Sequence, residues 1–304
     1  MAARYVVFGE ALTDFVREDE QHWRSIAGGS CWNVARVGAR LGIATGFAGA
    51  VSRDIFGEEI IRLSREAGLD MRFIQQVDRP PFLAMVVSKH PPQYFFIGDD
   101  SADLDFDPDA LPPGWLEAVE IVHFGSISLV RRPLANRLLD IAEKVHAAGK
   151  RIAFDPNYRN LMNDSYRPTL RRMARLADYI KVSDEDLAGL LPRMTEADAL
   201  AQLRSWAPRA WILFTRGADG LRLITPEREV VQPALPVTVA DTVGGGDASM
   251  GGWMYSILTR PSAPIETHAA FVAATAAVAC QHHGAYAPLP ADVEALLALH
   301  SRRN

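Results

Sequence analysis

"DTVGGGDASMGGWMYSIL", residues 241–258, places three glycines between Val243 and Asp247 and then runs into an apolar stretch. Glycine loses more backbone freedom on folding than any other residue, and Ser or Asp would cap a following helix better. Two readings account for Gly244, Gly245 and Gly246. One is a tight turn. The other is a cradle of backbone N–H groups at a helix N-terminus, where successive amides and the helix dipole favour an anion. Met250, Trp253, Met254 and Ile257 recur at three- and four-residue spacing, which predicts a helix with one apolar face. Asp247 then falls in its first turn, either as an N-terminal charge partner or as a contact for a substrate hydroxyl. The stretch lacks the Lys-Ser/Thr of a P-loop, and it sits far from the start of any strand-turn-helix unit that a dinucleotide site requires.

Upstream, short apolar runs alternate with longer helical patterns. "YVVF" at 5–8, "VARVGARLG" at 34–42, "ATGFAGAV" at 44–51 and "FGEEIIRLSREAGL" at 56–69 read as strand, helix, strand, helix. The rhythm resumes with "EIVHFGS", "RRPLANRLLDIAEKVHAAG", "RIAFDPN", "TLRRMARLADYIKVS" and "LAQLRSWAPRAWILFTRG", and predicts a largely parallel sheet covered by helices. Ligands of such sheets gather at the carboxyl ends of the strands, so Asp155, Ser183 and Thr215 are expected to face one crevice. Residues 10–24 and 72–99 break the rhythm. "MRFIQQV", "FLAMVVS" and "KHPPQYFFI" read as antiparallel strands, with a Pro-containing turn between the last two. They form either a small lobe over the crevice or an edge extension. With no repeat or linker in sight, the whole of 1–304 reads as one domain.

Composition sets outer limits. The 304 residues are 48% hydrophobic and carry 32 basic against 37 acidic side chains, a formal charge of -5. No Lys/Arg stripe with interleaved aromatics speaks for nucleic acid, and no apolar run reaches the length of a membrane span. No signal-peptide pattern opens the chain, so a cytoplasmic location is the expectation. Cys31 and Cys280, far apart and in apolar surroundings, read as buried free thiols. His282 and His283 lack the further ligands of a zinc site.

The opening stretch resembles the carboxyl-terminal signature of the ribokinase-like (pfkB) carbohydrate kinases, Asp-Thr-Thr-Gly-Ala-Gly-Asp. Asp241, Thr242, Gly244, Gly246 and Asp247 match it, while Val243 and Gly245 depart from it. "GEALTDF", "AGGSCWNVARVGARLG", "GAVSRDIFG", "VHFGSISL", "FDPNYR", "YIKVSDED" and "LFTRGADG" follow the family's order over essentially the whole chain, and several look most like its fructokinase branch. The resemblance implies a three-layer α/β/α sandwich with a mostly parallel central sheet and a small β lid, and ATP-dependent phosphorylation of a sugar's primary hydroxyl, fructose before others. It implies Asp247 as general base, with the N–H groups of Gly244, Gly245 and Gly246 holding the phosphoryl oxygens. Asp14, Gly28, Gly29 and Asn33 would hold the sugar, and Arg159 would add positive charge if it faces the crevice. Ser183, Thr215, Gly217, Gly220 and Gly246 would meet ATP, with Mg²⁺ held through water near Ser183, Asp184 and Asp186. A monovalent cation, K⁺, would sit among backbone carbonyls of Asp241, Val243, Ala279, His282 and Gly284. A homodimer is compatible with this family.

Each position also has a local reading. Asp14 could be a turn acid, Gly29 a strand-to-helix turn, Asn33 an early helix residue, and Ser183 with Asp186 a capping box. The lid phrase reads "YFFIGDDSAD" where fructokinase-like relatives carry a basic residue after the aromatics. Ile97, Gly98, Asp99 and Asp100 would make that rim less positive and disfavour phosphorylated sugars, unless they lie in a solvent-facing turn. Two alternatives to a fructose kinase stay open: a kinase of another sugar or a nucleoside, and a binding protein with little turnover.

Overall fold

"YVVF" becomes strand β1 (Tyr5–Phe8), buried at every position in the computed structural model, which describes residues 2–89 and 92–301. Successive strand side chains point to opposite faces, so Tyr5 and Val7 enter one apolar core while Val6 and Phe8 enter another. A strand buried on both faces is the mark of a sheet covered by helices on each side. β2 (Leu12–Arg17), β3 (Trp23–Gly28), β4 (Thr45–Ser52), β5 (Ile74–Val77), β6 (Leu83–Lys89), β7 (Pro92–Ile97) and β8 (Ile121–Gly125) follow. The last strands are β9 (Arg151–Asp155), β10 (Tyr179–Ser183), β11 (Trp211–Thr215), β12 (Leu221–Ile224) and β13 (Glu229–Gln232).

Nine strands form the central sheet in the order β13-β12-β11-β10-β9-β8-β1-β4-β5. Pairing is parallel from β5 to β11, and antiparallel where β12 and β13 extend the edge. One face is covered by the helices Ser30–Arg40, Ile55–Ala67, Gly245–Thr259 and Ile265–Cys280, and the other by Leu134–Ala147, Arg167–Leu176, Asp184–Leu190 and Glu196–Trp206. This is the α/β/α sandwich of the ribokinase-like fold. A separate four-stranded sheet runs β3-β2-β6-β7, with β2 and β6 parallel and the outer pairs antiparallel.

Three details depart from the sequence reading. "MRFIQQV" does not join the small sheet: Ile74–Val77 pairs parallel with Gly49–Ser52 at the edge of the central one, because a short helical turn at Met71–Phe73 directs the chain there and buries Phe73. The helix Gly245–Thr259 buries residues around its whole circumference rather than on one face. Gly251 and Gly252 are the cause: a Cβ would lie 2.5 Å from Val37 on one side and 2.6 Å from Thr275 on the other, so two neighbouring helices close directly onto the backbone. Cys31 is buried as expected, whereas Cys280 is only half-buried. His90 and Pro91, in the turn expected before β7, lie outside the described residues, as do Met1 and residues 302–304. Among the described residues no helix is long and apolar enough to cross a membrane.

Candidate active site

Asp155, Ser183 and Thr215 end β9, β10 and β11, and Ser183 stands directly beside Thr215 in register. Two residues before Ser183, and therefore on the same face of β10, Lys181 is buried and donates to Asp155 Oδ2 at 2.8 Å. Burial pushes the Asp155 carboxyl up to about 6 although the ammonium opposes the rise. The Lys181 side chain reaches under the glycine stretch, 3.4 Å from where a Gly246 Cβ would be.

Gly244 starts the helix Gly245–Thr259 in the left-handed region, at φ 80°, and a Cβ there would lie 2.6 Å from the Ala285 Cα. Conformation and crowding together require glycine. No side chain caps this helix. The Gly245 N–H closes the turn onto the Thr242 carbonyl at 3.2 Å and so is not free for a ligand, contrary to the expectation for all three glycines. The Gly244, Gly246 and Asp247 N–H groups have no acceptor among the described residues. A helix start with unspent amides in a crevice is suited to an anion.

Asp247 lies in that first turn and is gripped from the facing helix, accepting from Ser30 Oγ at 2.7 Å and from Asn33 Nδ2 at 2.9 Å. Gly29 makes this possible. With φ 108° it turns β3 into the helix Ser30–Arg40, and a Cβ on it would meet the Glu10 carbonyl at 2.8 Å. Ser30 and Asn33, three residues apart, then share one face of the first turn. Burial keeps the Asp247 carboxyl above the usual aspartate range, opposed by the Ser30 and Asn33 hydrogen bonds and by the charges of Lys181 and Arg159. The Asn33 Oδ1 is buried with no partner among the described residues. A buried acceptor left unmet costs about 1–3 kcal/mol, which a ligand hydroxyl would recover.

Asp14 on β2 belongs to the same group, since its charge acts on Asp247 and both feel Arg159. Burial raises the Asp14 carboxyl to about 6, with Arg159 opposing and Asp247 assisting. Gly28 makes room for it: a Cβ there would lie 2.4 Å from Asp14 Oδ2. Arg159 donates to the Asn157 side chain and carbonyl and to the Tyr158 carbonyl, so it braces its own loop, and only its charge reaches the two acids.

Other positions divide between local and crevice roles. Ser183 and Asp186 form a complete capping box, and Asp186 also accepts the Tyr158 N–H at 2.7 Å. Both Asp186 oxygens are thus committed, and no group of three His, Cys, Asp or Glu among the described residues could hold a metal. Such a sparse acidic set suits Mg²⁺ that keeps waters and rests on substrate phosphates. Gly217 and Gly220 sit in the turn after Thr215, where a Cβ on Gly220 would lie 2.2 Å from the Gln232 carbonyl. The Asp241 carboxylate accepts from the Val243 and Gly284 N–H groups, tying the loop of Asp241 and Val243 to that of His282 and Gly284; Ala279, expected among them, lies instead in the helix Ile265–Cys280, where its carbonyl accepts the His282 N–H at 3.1 Å. His282 stacks on Tyr286. Asp99 and Asp100 lie in an exposed turn, with Asp100 paired to Arg79.

Ser30 and Lys181 join the site without standing out in the sequence. A lysine within the apolar run of β10 is the available signal for one; for Ser30 it is only the three-residue spacing from Asn33. A cavity of about 470 Å³ between β3, the helix Ile55–Ala67 and residues 283–285 is lined by none of Asp14, Asn33 or Asp247, and is not this crevice.

Residues 2–292 match the model of the pfkB family carbohydrate kinases. Aminoimidazole riboside kinase of Salmonella typhimurium is 31% identical over 257 residues, covering 83% of this chain and 80% of its own length. A fructokinase of Rhizobium leguminosarum bv. trifolii is 31% identical over 258 residues, covering 82% and 78% respectively. The crystal structure of a fructokinase with bound ATP from Xylella fastidiosa superposes with a TM-score of 0.89 at 27% identity, over 98% of this chain and 99% of that one. With an uncapped helix start that carries Asp247 at the carboxyl edge of this sheet, the chain belongs to the pfkB family of carbohydrate kinases, in its fructokinase branch.

Proposed function

We propose that this ATP-dependent carbohydrate kinase phosphorylates the primary hydroxyl of fructose, yielding fructose 6-phosphate. The observation that carries the reading is the Asp247 carboxylate, held by Ser30 and Asn33 at an uncapped helix start, within reach of the charges of Asp14 and Arg159. Asp14 accepts hydrogen bonds from sugar hydroxyls and Asn33 offers its unpartnered Oδ1, while Gly28 makes room for Asp14 and Gly29 for the Glu10 carbonyl against which Ser30 and Asn33 are set. Asp247 takes the proton of the attacking hydroxyl as its oxygen bonds to the γ-phosphorus and the bond to the ADP oxygen breaks. A free aspartate, with a pKa of ~3.9, is a poor base for an alcohol. A loose transition state asks for little proton removal until late, and burial already makes this carboxylate more basic.

The Gly244, Gly246 and Asp247 N–H groups stabilise the phosphoryl oxygens. Thr215, Gly217 and Gly220 border the nucleotide. Mg²⁺, held through water near Ser183 and Asp184, supplies charge neutralisation of the phosphates when bound. K⁺ among the carbonyls of the two loops tied by Asp241 would firm the cradle from below. The β3-β2-β6-β7 sheet acts as a lid over the sugar within a single ribokinase-like domain. A second reading, a riboside kinase, is favoured by the 31% identity to the Salmonella enzyme.

ADP release with Mg-ATP and a panel of acceptors separates them. A higher kcat/KM for fructose than for adenosine or fructose 6-phosphate supports the assignment; a clear preference for either alternative overturns the sugar choice. Binding without turnover of any acceptor would return the protein to the class of sensors.

A further inference from the structure

Both oxygens of the Asp247 carboxylate are occupied, and unequally. Asn33 Nδ2 holds Oδ2, but Asn33 also carries a buried unpartnered oxygen that a sugar must meet, so its amide is shared between base and substrate. Ser30 has a single polar side-chain atom, and it serves the base alone. That hydroxyl, on a residue 8% exposed, donates to Oδ1 at 2.7 Å. The carboxylate has no other side-chain hydrogen bond among the described residues. Its remaining surroundings act at longer range, with Lys181 and Arg159 as cations and Asp14, Asp155 and the Cys31 thiol as the other titratable groups whose charge couples to it.

The backbone fixes Ser30 as firmly as it fixes the base. Gly29 is forced by its φ of 108° and by the Glu10 carbonyl, and the Trp32 N–H is anchored to that same carbonyl at 3.3 Å. The Glu10 carboxylate, itself held by Ser128, also takes the Cys31 N–H at 3.5 Å. The first turn of Ser30–Arg40 is therefore clamped to the loop after β1, and Ser30 cannot follow Asp247 if that side chain rotates. We propose that Ser30 is the positioning residue of the general base, a fixed donor that holds the Asp247 carboxylate in its reactive rotamer while Asn33 turns part of its hydrogen bonding to the sugar. This rests on the reading of Asp247 as the base.

A positioning role has signatures that a merely structural serine lacks. Ser30→Ala should lower kcat about tenfold while changing the KM for ATP less than twofold, a tenfold change being about 1.4 kcal/mol of transition-state stabilisation. The hydroxyl also favours the ionised carboxylate, so its loss should move the acid limb of the kcat profile to higher pH. Ser30→Thr, which keeps a hydroxyl, should recover most of the rate. In a cycle with Asp247→Asn, adding Ser30→Ala should cost nothing further, because the group it positions is gone.

Turnover and acid limb unchanged in Ser30→Ala would overturn the proposal, as would an equal loss in the Asp247→Asn background or a Thr variant as slow as Ala. If Ser30→Ala does not fold, the hydroxyl serves the fold and the proposal is also lost. Full activity of Asp247→Asn alone would instead remove the base assignment on which this one stands.

Discussion

Two helices begin at the carboxyl edge of the same sheet, and they begin in opposite ways. Asp184–Leu190 is closed by its own sequence: Ser183 Oγ takes the Asp186 N–H, Asp186 returns the bond to the Ser183 N–H, and acids fill the first turn. Gly245–Thr259 starts on a left-handed glycine with no side-chain cap. Its one first-turn carboxylate, Asp247, is held by Ser30 and Asn33 of the facing helix and offers nothing to its own amides. Exchange of a Ser or Asp cap for glycine typically costs a few tenths of a kcal/mol. A helix that forgoes that stabilisation inside a polar crevice leaves its amides free for an anion, which under the proposed function is the transferred phosphoryl group.

Breaking the open helix start should cost most. Asp247→Asn keeps the shape and removes the proton acceptor, and general-base groups contribute ~10² to 10⁴-fold, so kcat should fall within that range with ATP still bound in calorimetry. Gly244→Ala asks an L residue to hold φ 80° with its Cβ 2.6 Å from the Ala285 Cα. Turnover should drop by about tenfold or more, together with a lower Tm, since strain at such a position costs ~1–3 kcal/mol.

A smaller, graded effect tests the acid on β2. Burial raises Asp14 to about 6, so it takes up its proton as pH falls through that value, well before an exposed aspartate would. Protonated, it would be a weaker acceptor for the hydroxyls of the proposed sugar. The kcat/KM for the sugar should decline below pH about 6, and Asp14→Asn should be slow throughout with that limb gone. Least of all, Ser183→Ala removes a local cap at the proposed nucleotide edge and should cost ~1 kcal/mol of stability, a fall in Tm of ~2 °C for a chain of this size, with any catalytic loss in the KM for Mg-ATP.

The same contrast explains what is legible in the sequence. The Ser183 and Asp186 box is local, three residues apart, and can be read as such. So can the central sheet, because β1 and its neighbours are buried on both faces and read as continuous apolar runs. "MRFIQQV" reads as either lobe or edge extension since a short strand carries no mark of which sheet it joins; the turn at Met71–Phe73 decides for the edge, where the strand runs parallel and not antiparallel as read. Gly251 and Gly252 look like blemishes in an amphipathic helix, and their reason, contact with Val37 and Thr275, is tertiary. The hold of Ser30 on Asp247 spans 217 positions, and no spacing rule reaches that far. The acid itself is found through its glycines and through family resemblance, while its neighbours need the fold.

Turnover and thermal unfolding measured side by side on Asp247→Asn and Ser183→Ala test the contrast most directly. The expected result is crossed: Asp247→Asn loses at least ~10² in kcat with its Tm nearly kept, and Ser183→Ala loses Tm while keeping most of its kcat at saturating Mg-ATP, any loss falling on the KM for Mg-ATP. An Asp247→Asn protein that is folded, binds ATP and sugar, and phosphorylates at the wild-type rate would contradict the role of Asp247 as the base at an open helix start.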